Sequence, residues 1–317
     1  MSEKRYTLRL AYFPIELSGG NRGRSGTANL PTGYNHAFFL IYDNEGELFE
    51  EINGFATDKH GAKKAIGSPL DSSDRLKIHI FGKNGDLGPQ KNERVLYDNL
   101  TEVELKALMA TVYSLKDELD KRDLHYRLLS QNSNSVAATL MEAWGFKRSD
   151  LFRSDFSRNA DAEDLPTKGS LPGAERVLLH NKKMADYAQR TQSLVQGFDA
   201  IERSLASDSP TVRYNGVASG LKKISPHIRA LDDNATKRYL QEANRRLGFG
   251  AIGESGSFGS QSASGLVQQL DFNISQRRLG KPGGIDVPVP QRSPAVRQNP
   301  LRLNHKPHAN QNQGTGQ

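Results

Sequence analysis

The sequence predicts an α+β domain, a short helical segment behind it, and a basic tail unable to fold by itself. Three observations carry this. Apolar and polar residues alternate with a period of two near the N-terminus, in Tyr6–Tyr12 and again between Asn35 and Asn53. A capping-box motif at Thr101–Glu104 then opens a stretch whose apolar residues recur at helical spacing. Beyond Gly248 the composition turns first to Ser and Gly, then to Pro, Asn and Gln. The expected units are residues 1–183, 184–248 and 249–317.

Taken in order, Tyr6, Leu8, Leu10 and Tyr12 fall on one face of a first strand. Ser18–Gly26 follows as a Gly-rich connector without the Gly-Lys-Ser/Thr ending of a phosphate loop. Residues 35–43 and 47–53 form a hairpin around Asp43-Asn44-Glu45-Gly46. If the turn centres between Asn44 and Glu45, Leu40 opposes Phe49 and Asn53 falls opposite His36. Leu76–Phe81 reads as a further strand. The capping box starts a helix with Leu105, Leu108, Met109, Val112, Leu115 and Leu119 on one face. A second helix runs from Ser133 to Trp144, with Gly145 as its stop. Residues 150–173 read as a long loop, and Arg176–His180 as an edge strand. From Met184 a helical stripe begins at Tyr187, Thr191, Leu194, Phe198, Ile201 and Leu205, and two more helical stretches flank Pro226. Within the tail, Leu266–Phe272 alone is apolar enough to act as a docking segment.

Composition removes several functional classes. At 317 residues the chain can bury one well-packed domain and something smaller. It has no cysteine, which excludes disulfides, Cys-bearing zinc sites and a thiol nucleophile. No apolar run follows Lys4 and Arg5, so no Sec-type signal is predicted, and no window approaches the roughly 18 apolar residues of a membrane span. These features predict synthesis in the cytoplasm and no transmembrane segment. The formal charge of +7 is concentrated in the tail, where Arg277, Arg278, Lys281, Arg292, Arg297, Arg302 and Lys306 face Asp286 alone. Such a tail touches polyanions weakly, and specific nucleic-acid recognition is not expected. No His/Asp/Glu group has metal-ligand spacing, with His305 and His308 too sparse in the tail, and no cofactor is implied. His79 is expected to be exposed and His60 to sit on a solvated loop.

One pairing carries chemistry. His36 lies early on a strand, and Asn132-Ser133-Asn134-Ser135 opens a helix about a hundred residues later. Helix N-termini expose unpaired N–H groups and a positive dipole end, which suit a nucleophile and an oxyanion. Each piece also has a plain reading, since Asn-Ser-Asn-Ser is a good N-cap by itself. Asn132–Val136 resembles the Asn-Cys-Asn-His-Phe or Asn-Cys-Glu-His-Phe signature of circularly permuted papain-like hydrolases. That group includes lecithin:retinol acyltransferase-like proteins and permuted cell-wall amidases. The order of His36 before Ser133, the preceding Tyr126 and the apolar helix after the motif all fit, over residues 5 to 180. Ser133 stands where the family has its cysteine, and Ser135 where it has the following histidine.

The resemblance implies a papain-like sheet with packed helices, Ser133 as nucleophile and His36 as general base. The hairpin register adds Asn53 as the group that orients the imidazole, with Glu51 on the same face as the alternative. Backbone N–H groups at Ser133, Asn134 and Ser135, capped by Asn132, would hold the oxyanion. The implied reaction is hydrolysis of an amide or ester in a peptide, cell-wall or lipid acyl substrate. A serine is not ionised at neutral pH and depends on base removal of its proton. A site that has lost catalysis and kept binding, a papain-like scaffold or adaptor, is therefore the alternative. The helical segment and tail suit a protein handled by a protein partner. By analogy this fits a bacterial effector or phage-associated protein exported by a signal-peptide-independent route.

Overall fold

Period-two alternation builds the sheet. In the computed structural model, which describes residues 4–17, 30–66, 70–152, 166–250 and 261–278, five strands form. They are β1 (Arg5–Leu17), β2 (Leu30–Asp43), β3 (Leu48–Thr57), β4 (Arg75–Phe81) and β5 (Glu93–Thr101). Their order is β4-β3-β2-β1-β5, and every neighbouring pair is antiparallel. The fold is mixed α+β. Leu8, Leu10, Tyr12, Phe39, Ile41, Ile52, Leu76 and Ile78 enter the main core. Ala11, Phe38 and Leu40 point to the opposite face, where Leu87 from the β4–β5 loop covers them.

The helices close the main core. Thr101 ends β5 and caps α1 (Glu102–Arg122), with its hydroxyl on the Glu104 N–H and the Glu104 carboxylate on the Thr101 N–H. Helix α2 (Ser133–Ala143) packs beneath β2 and β3. After it Trp144 meets Phe39 edge-on, with ring centres 4.8 Å apart, and donates its indole N–H to the Leu108 carbonyl at 3.2 Å.

Four more helices continue this core: α3 (Asn181–Leu205), α4 (Pro210–Ile224), α5 (Asn234–Arg246) and α6 (Ala263–Arg278). Leu194, Phe198 and Ile201 of α3 belong to the same apolar cluster as α1 and α2. A hydrogen bond of 2.6 Å joins the Thr111 and Thr191 hydroxyls across α1 and α3. Helices α3 and α4 meet at glycines. A Cβ on Gly220 would lie 2.6 Å from the Gly197 carbonyl oxygen, and one on Gly197 3.0 Å from that of Gly220. No helix among the described residues is long and apolar enough to cross a membrane.

Four details depart from the sequence reading. The hairpin ladder pairs Phe39 with Ile52 and Leu40 with Glu51, a register shifted from the expected one because the turn is centred on Glu45 and the ladder shifts again at an irregularity between Ile41 and Tyr42. Strand β5 was not legible; it is polar at Glu93, Arg94, Asp98 and Asn99 and leaves Val95 about half exposed at the sheet edge. Residues 176–180 are not a strand, since the buried Leu178 gives its N–H to the Thr139 hydroxyl instead of a ladder. The tail expected from residue 249 contains α6, because Leu266, Leu270 and Ile274 form a stripe that buries within this chain. The other tail residues, 251–260 and 279–317, lie outside the described residues, as do the connector at 18–29 and most of the 150–173 loop.

Gly220→Ala sets two effects against each other. Helix propensity favours alanine by about 1 kcal/mol, and a methyl group forced onto a backbone carbonyl costs about 1–3 kcal/mol. The expected outcome is a lower urea midpoint at unchanged m-value, and a variant more stable than the parent would contradict the backbone contact.

Candidate active site

The site begins where β2 and β3 part. Their recorded pairs run from Tyr42↔Leu48 to Phe39↔Ile52, and there the ladder ends. Towards its N-terminal end β2 still pairs with β1, through His36↔Phe13 and Asn35↔Pro14, so its other edge is open. Asn134 fills that edge. Its Oδ1 accepts the Ala37 N–H at 2.8 Å, and its Nδ2 donates to the Asn35 carbonyl at 3.0 Å and to that of Pro172 at 3.1 Å. One side-chain amide thus supplies a donor and an acceptor on either side of His36, as a neighbouring strand would. Gly54 lets the helix start approach β3, since a Cβ there would lie 2.8 Å from Val136 Cβ and 3.0 Å from Ser133 Cα.

The start of α2 is capped from within. Asn132 Oδ1 accepts the N–H groups of Asn134 at 3.0 Å and Ser135 at 3.2 Å, and the Asn132 carbonyl accepts that of Val136. The Ser135 hydroxyl accepts the Asn132 N–H and lies 3.0 Å from the Gly173 carbonyl, to which it donates. Gly173 has φ +84°, and a Cβ on it would lie 2.5 Å from Asn132 Oδ1. Asn132, Asn134 and Ser135 therefore fasten the helix to β2 and to the 171–174 loop. Their capping leaves Ser133 as the member of the expected N–H group with no cap acceptor among the described residues.

His36 is held by a chain of acceptors. Continuing the observed register sets Phe55 opposite His36, and the two rings stack with centres 5.5 Å apart. Asn53, two residues along on the same face, reaches the imidazole diagonally, with Oδ1 2.5 Å from His36 Nε2. Its Nδ2 donates to Glu51 Oε1 at 3.1 Å. Glu51 Oε2 in turn accepts the N–H groups of Asp86, Leu87 and Gly88 at 2.9, 3.0 and 3.0 Å. Gly85, at φ +57°, keeps this loop close, since a Cβ there would lie 2.8 Å from the same oxygen.

These contacts assign the protons. A carboxylate bonded to three N–H groups accepts only, so the Asn53 amide must present its nitrogen to Glu51 and its oxygen to His36. The imidazole then carries its proton on Nε2 and keeps the lone pair on Nδ1. Asn53 and Glu51, alternatives in the sequence, act in series. His36, Asn53 and Glu51 are 2%, 1% and 0% exposed. Burial lowers the His36 pKa to about 4, against smaller upward effects of Asn53 and Asp86, so the imidazole is neutral at pH 7.

Ser133, 3% exposed, is the first residue of α2 and adjoins the Asn134 clamp. Among the described residues it shares no hydrogen bond with His36. It faces Tyr126 instead, with the phenol oxygen on the accepting side of Ser133. Burial raises the Tyr126 pKa, and the Ser133 contacts offset part of that rise. His79, expected to be exposed, is half-buried, lies 3.0 Å from the Thr57 hydroxyl through Nε2 and stacks on Phe81. His60 is exposed in a turn. Sequence reasoning missed the 85–88 loop around Glu51; its signal was the spacing of Gly82, Gly85 and Gly88. No protein-family model matches the chain, and neither curated proteins nor solved structures provide a match.

The buried imidazole makes stability depend on pH. Below about pH 6.5 the unfolded chain takes up the His36 proton first, so stability falls with pH until the folded value near 4 is reached. The expected loss from this group is about 3 kcal/mol, and His36→Gln should lack it. Urea unfolding at pH 7 and pH 4.5 measures this, and an equal pH dependence in both proteins would refute a buried neutral imidazole.

Proposed function

We propose that this chain is a serine-type acyl hydrolase whose α+β domain works as a papain-like site on amide bonds, in preference to esters. The observation that carries the reading is the buried Glu51–Asn53–His36 series, which orients one imidazole and leaves its Nδ1 as a base. Ser133 Oγ attacks the substrate carbonyl carbon while His36 Nδ1 removes its proton. The tetrahedral intermediate collapses as the imidazolium protonates the leaving amine, leaving an acyl-serine. Water, deprotonated by the same nitrogen, releases the acid and restores Ser133. Asn53 and Glu51 stabilise the transient imidazolium through the Nε2 side.

The environment of His36 suits serine more than cysteine. A cysteine site works as a thiolate–imidazolium pair, which burial of this imidazole opposes. A serine site starts from a neutral base, which burial favours, although the imidazolium formed as the serine proton transfers is opposed by the same burial. One observation favours a second reading, that of a binding scaffold: Ser133 is 3% exposed and shares no hydrogen bond with His36 among the described residues. Substrate entry then requires a displacement around Tyr126 or the 171–174 loop.

Labelling with a fluorophosphonate serine probe decides between them. The expected outcome is modification of the parent protein, lost in Ser133→Ala and reduced at least a hundredfold in His36→Ala, on the order of a missing general base. A folded parent protein that resists the probe would leave the scaffold reading in place.

A further inference from the structure

We infer that a cavity between β5, the start of α1 and α3 is a binding site for a short aliphatic diamine. The cavity holds about 470 Å³, within the range of small-molecule sites, and shares no lining residue with the candidate active site.

Two local features build its walls. Val195, Asp199, Glu202 and Ala206 recur at helical spacing and form one stripe of α3. Across the cavity β5 carries a bulge, which sets Asp98 and Asn99 against Thr7 alone, between the pairs Tyr6↔Leu100 and Leu8↔Tyr97. A bulge bends the strand that carries it, and Asn99 takes the left-handed conformation at φ +58°. Tyr97, Leu100 and Val195 make the lining partly apolar, so that it can take a methylene chain.

The charges select the ends of that chain. Four carboxylates line the cavity, and two of them already have cations. Asp199 pairs with Arg203, and Glu202 pairs with Arg5 at 3.8 Å and with Arg246 at 3.4 Å. Asp98 and Glu104 form no ion pair among the described residues. Asp98 Oδ1 accepts the Thr7 hydroxyl at 2.8 Å and the Asn99 N–H at 2.9 Å. Glu104 is the stronger signal, because it is only 6% exposed. Its Oε2 accepts the Thr101 N–H at 2.7 Å and the Thr101 hydroxyl at 2.8 Å. Its Oε1 has no hydrogen-bond partner among the described residues and is the oxygen left to the cavity.

A buried carboxylate with no cation is destabilising, and burial raises the Glu104 pKa against the downward pull of the Thr101 donors. An ammonium group donating to Oε1 supplies the missing charge, and Asp98 receives the second ammonium. An anion would meet four carboxylates and two arginines already paired to them. A neutral chain would leave Glu104 as it is.

The test is an NMR titration of the full chain at pH 7 with cadaverine, 1,5-pentanediol and glutarate, which share a chain length and differ in charge. The amide signals of Asn99, Leu100 and Glu104 report on the cavity itself. Saturable shifts at these amides are expected with cadaverine alone. Glu104→Gln keeps the capping box, where glutamine also serves, and removes the charge. It should bind cadaverine about tenfold more weakly or worse, as loss of a charge-assisted hydrogen bond implies. If Glu104→Gln proves unstable by urea unfolding, Asp98→Asn carries the same expectation at the more exposed end. Absence of saturable shifts at these amides would overturn the inference, as would equal binding of pentanediol or parent-like affinity in the folded variant.

Discussion

The Asn134 side chain is the constraint on which the site depends. A sheet that continued its β2–β3 ladder past Phe39 would leave no room for a helix start beside His36. By giving Asn35 and Ala37 the partners a strand would have given them, Asn134 lets the sheet part without orphaning buried backbone groups. Each such bond contributes only about 1 kcal/mol net, whereas an unsatisfied buried partner costs about 1–3 kcal/mol. The interaction therefore specifies geometry more than it adds stability. Gly54 completes the fit by allowing Ser133 and Val136 close to β3.

The charge arrangement follows from the same parting of strands. On the face left to the β4–β5 loop, three N–H groups hold the Glu51 carboxylate, with no cation paired to it among the described residues. Backbone donors fix the charge in place, and the Asn53 amide passes its orientation to the ring while keeping the negative charge one group removed. A carboxylate in direct contact would favour the imidazolium; an amide favours orientation with little change in charge. The imidazole is thus held firmly and left neutral.

The sequence made much of this legible, and the gaps have physical causes. The capping box at Thr101 and the N-cap at Asn132 depend on local spacing and appear where the spacing places them. The candidate residues His36, Asn53 and Glu51 share one sheet face because period-two alternation survives any even shift of register. The direct His36–Asn53 opposition did not survive, since register depends on turn geometry that Asp43–Gly46 does not determine uniquely. Strand β5 was hidden because an edge strand needs little apolar content. The role of Asn134 was hidden for a different reason: an asparagine at a helix start reads as a cap, and its backbone partners are about a hundred residues away.

The glycine contact between α3 and α4 joins the site to the far side of the molecule. From Gly173, which abuts the cap of α2, seven residues lead to the start of α3 at Asn181. Gly197 lies about 24 Å further along that helix at 1.5 Å per residue. Side chains between helices normally absorb small displacements by changing rotamer, but a backbone-to-backbone contact has none to yield. At this crossing α3 and α4 have no side chain of Gly197 or Gly220 to separate them, so a change in the position of one helix there is met directly by the backbone of the other.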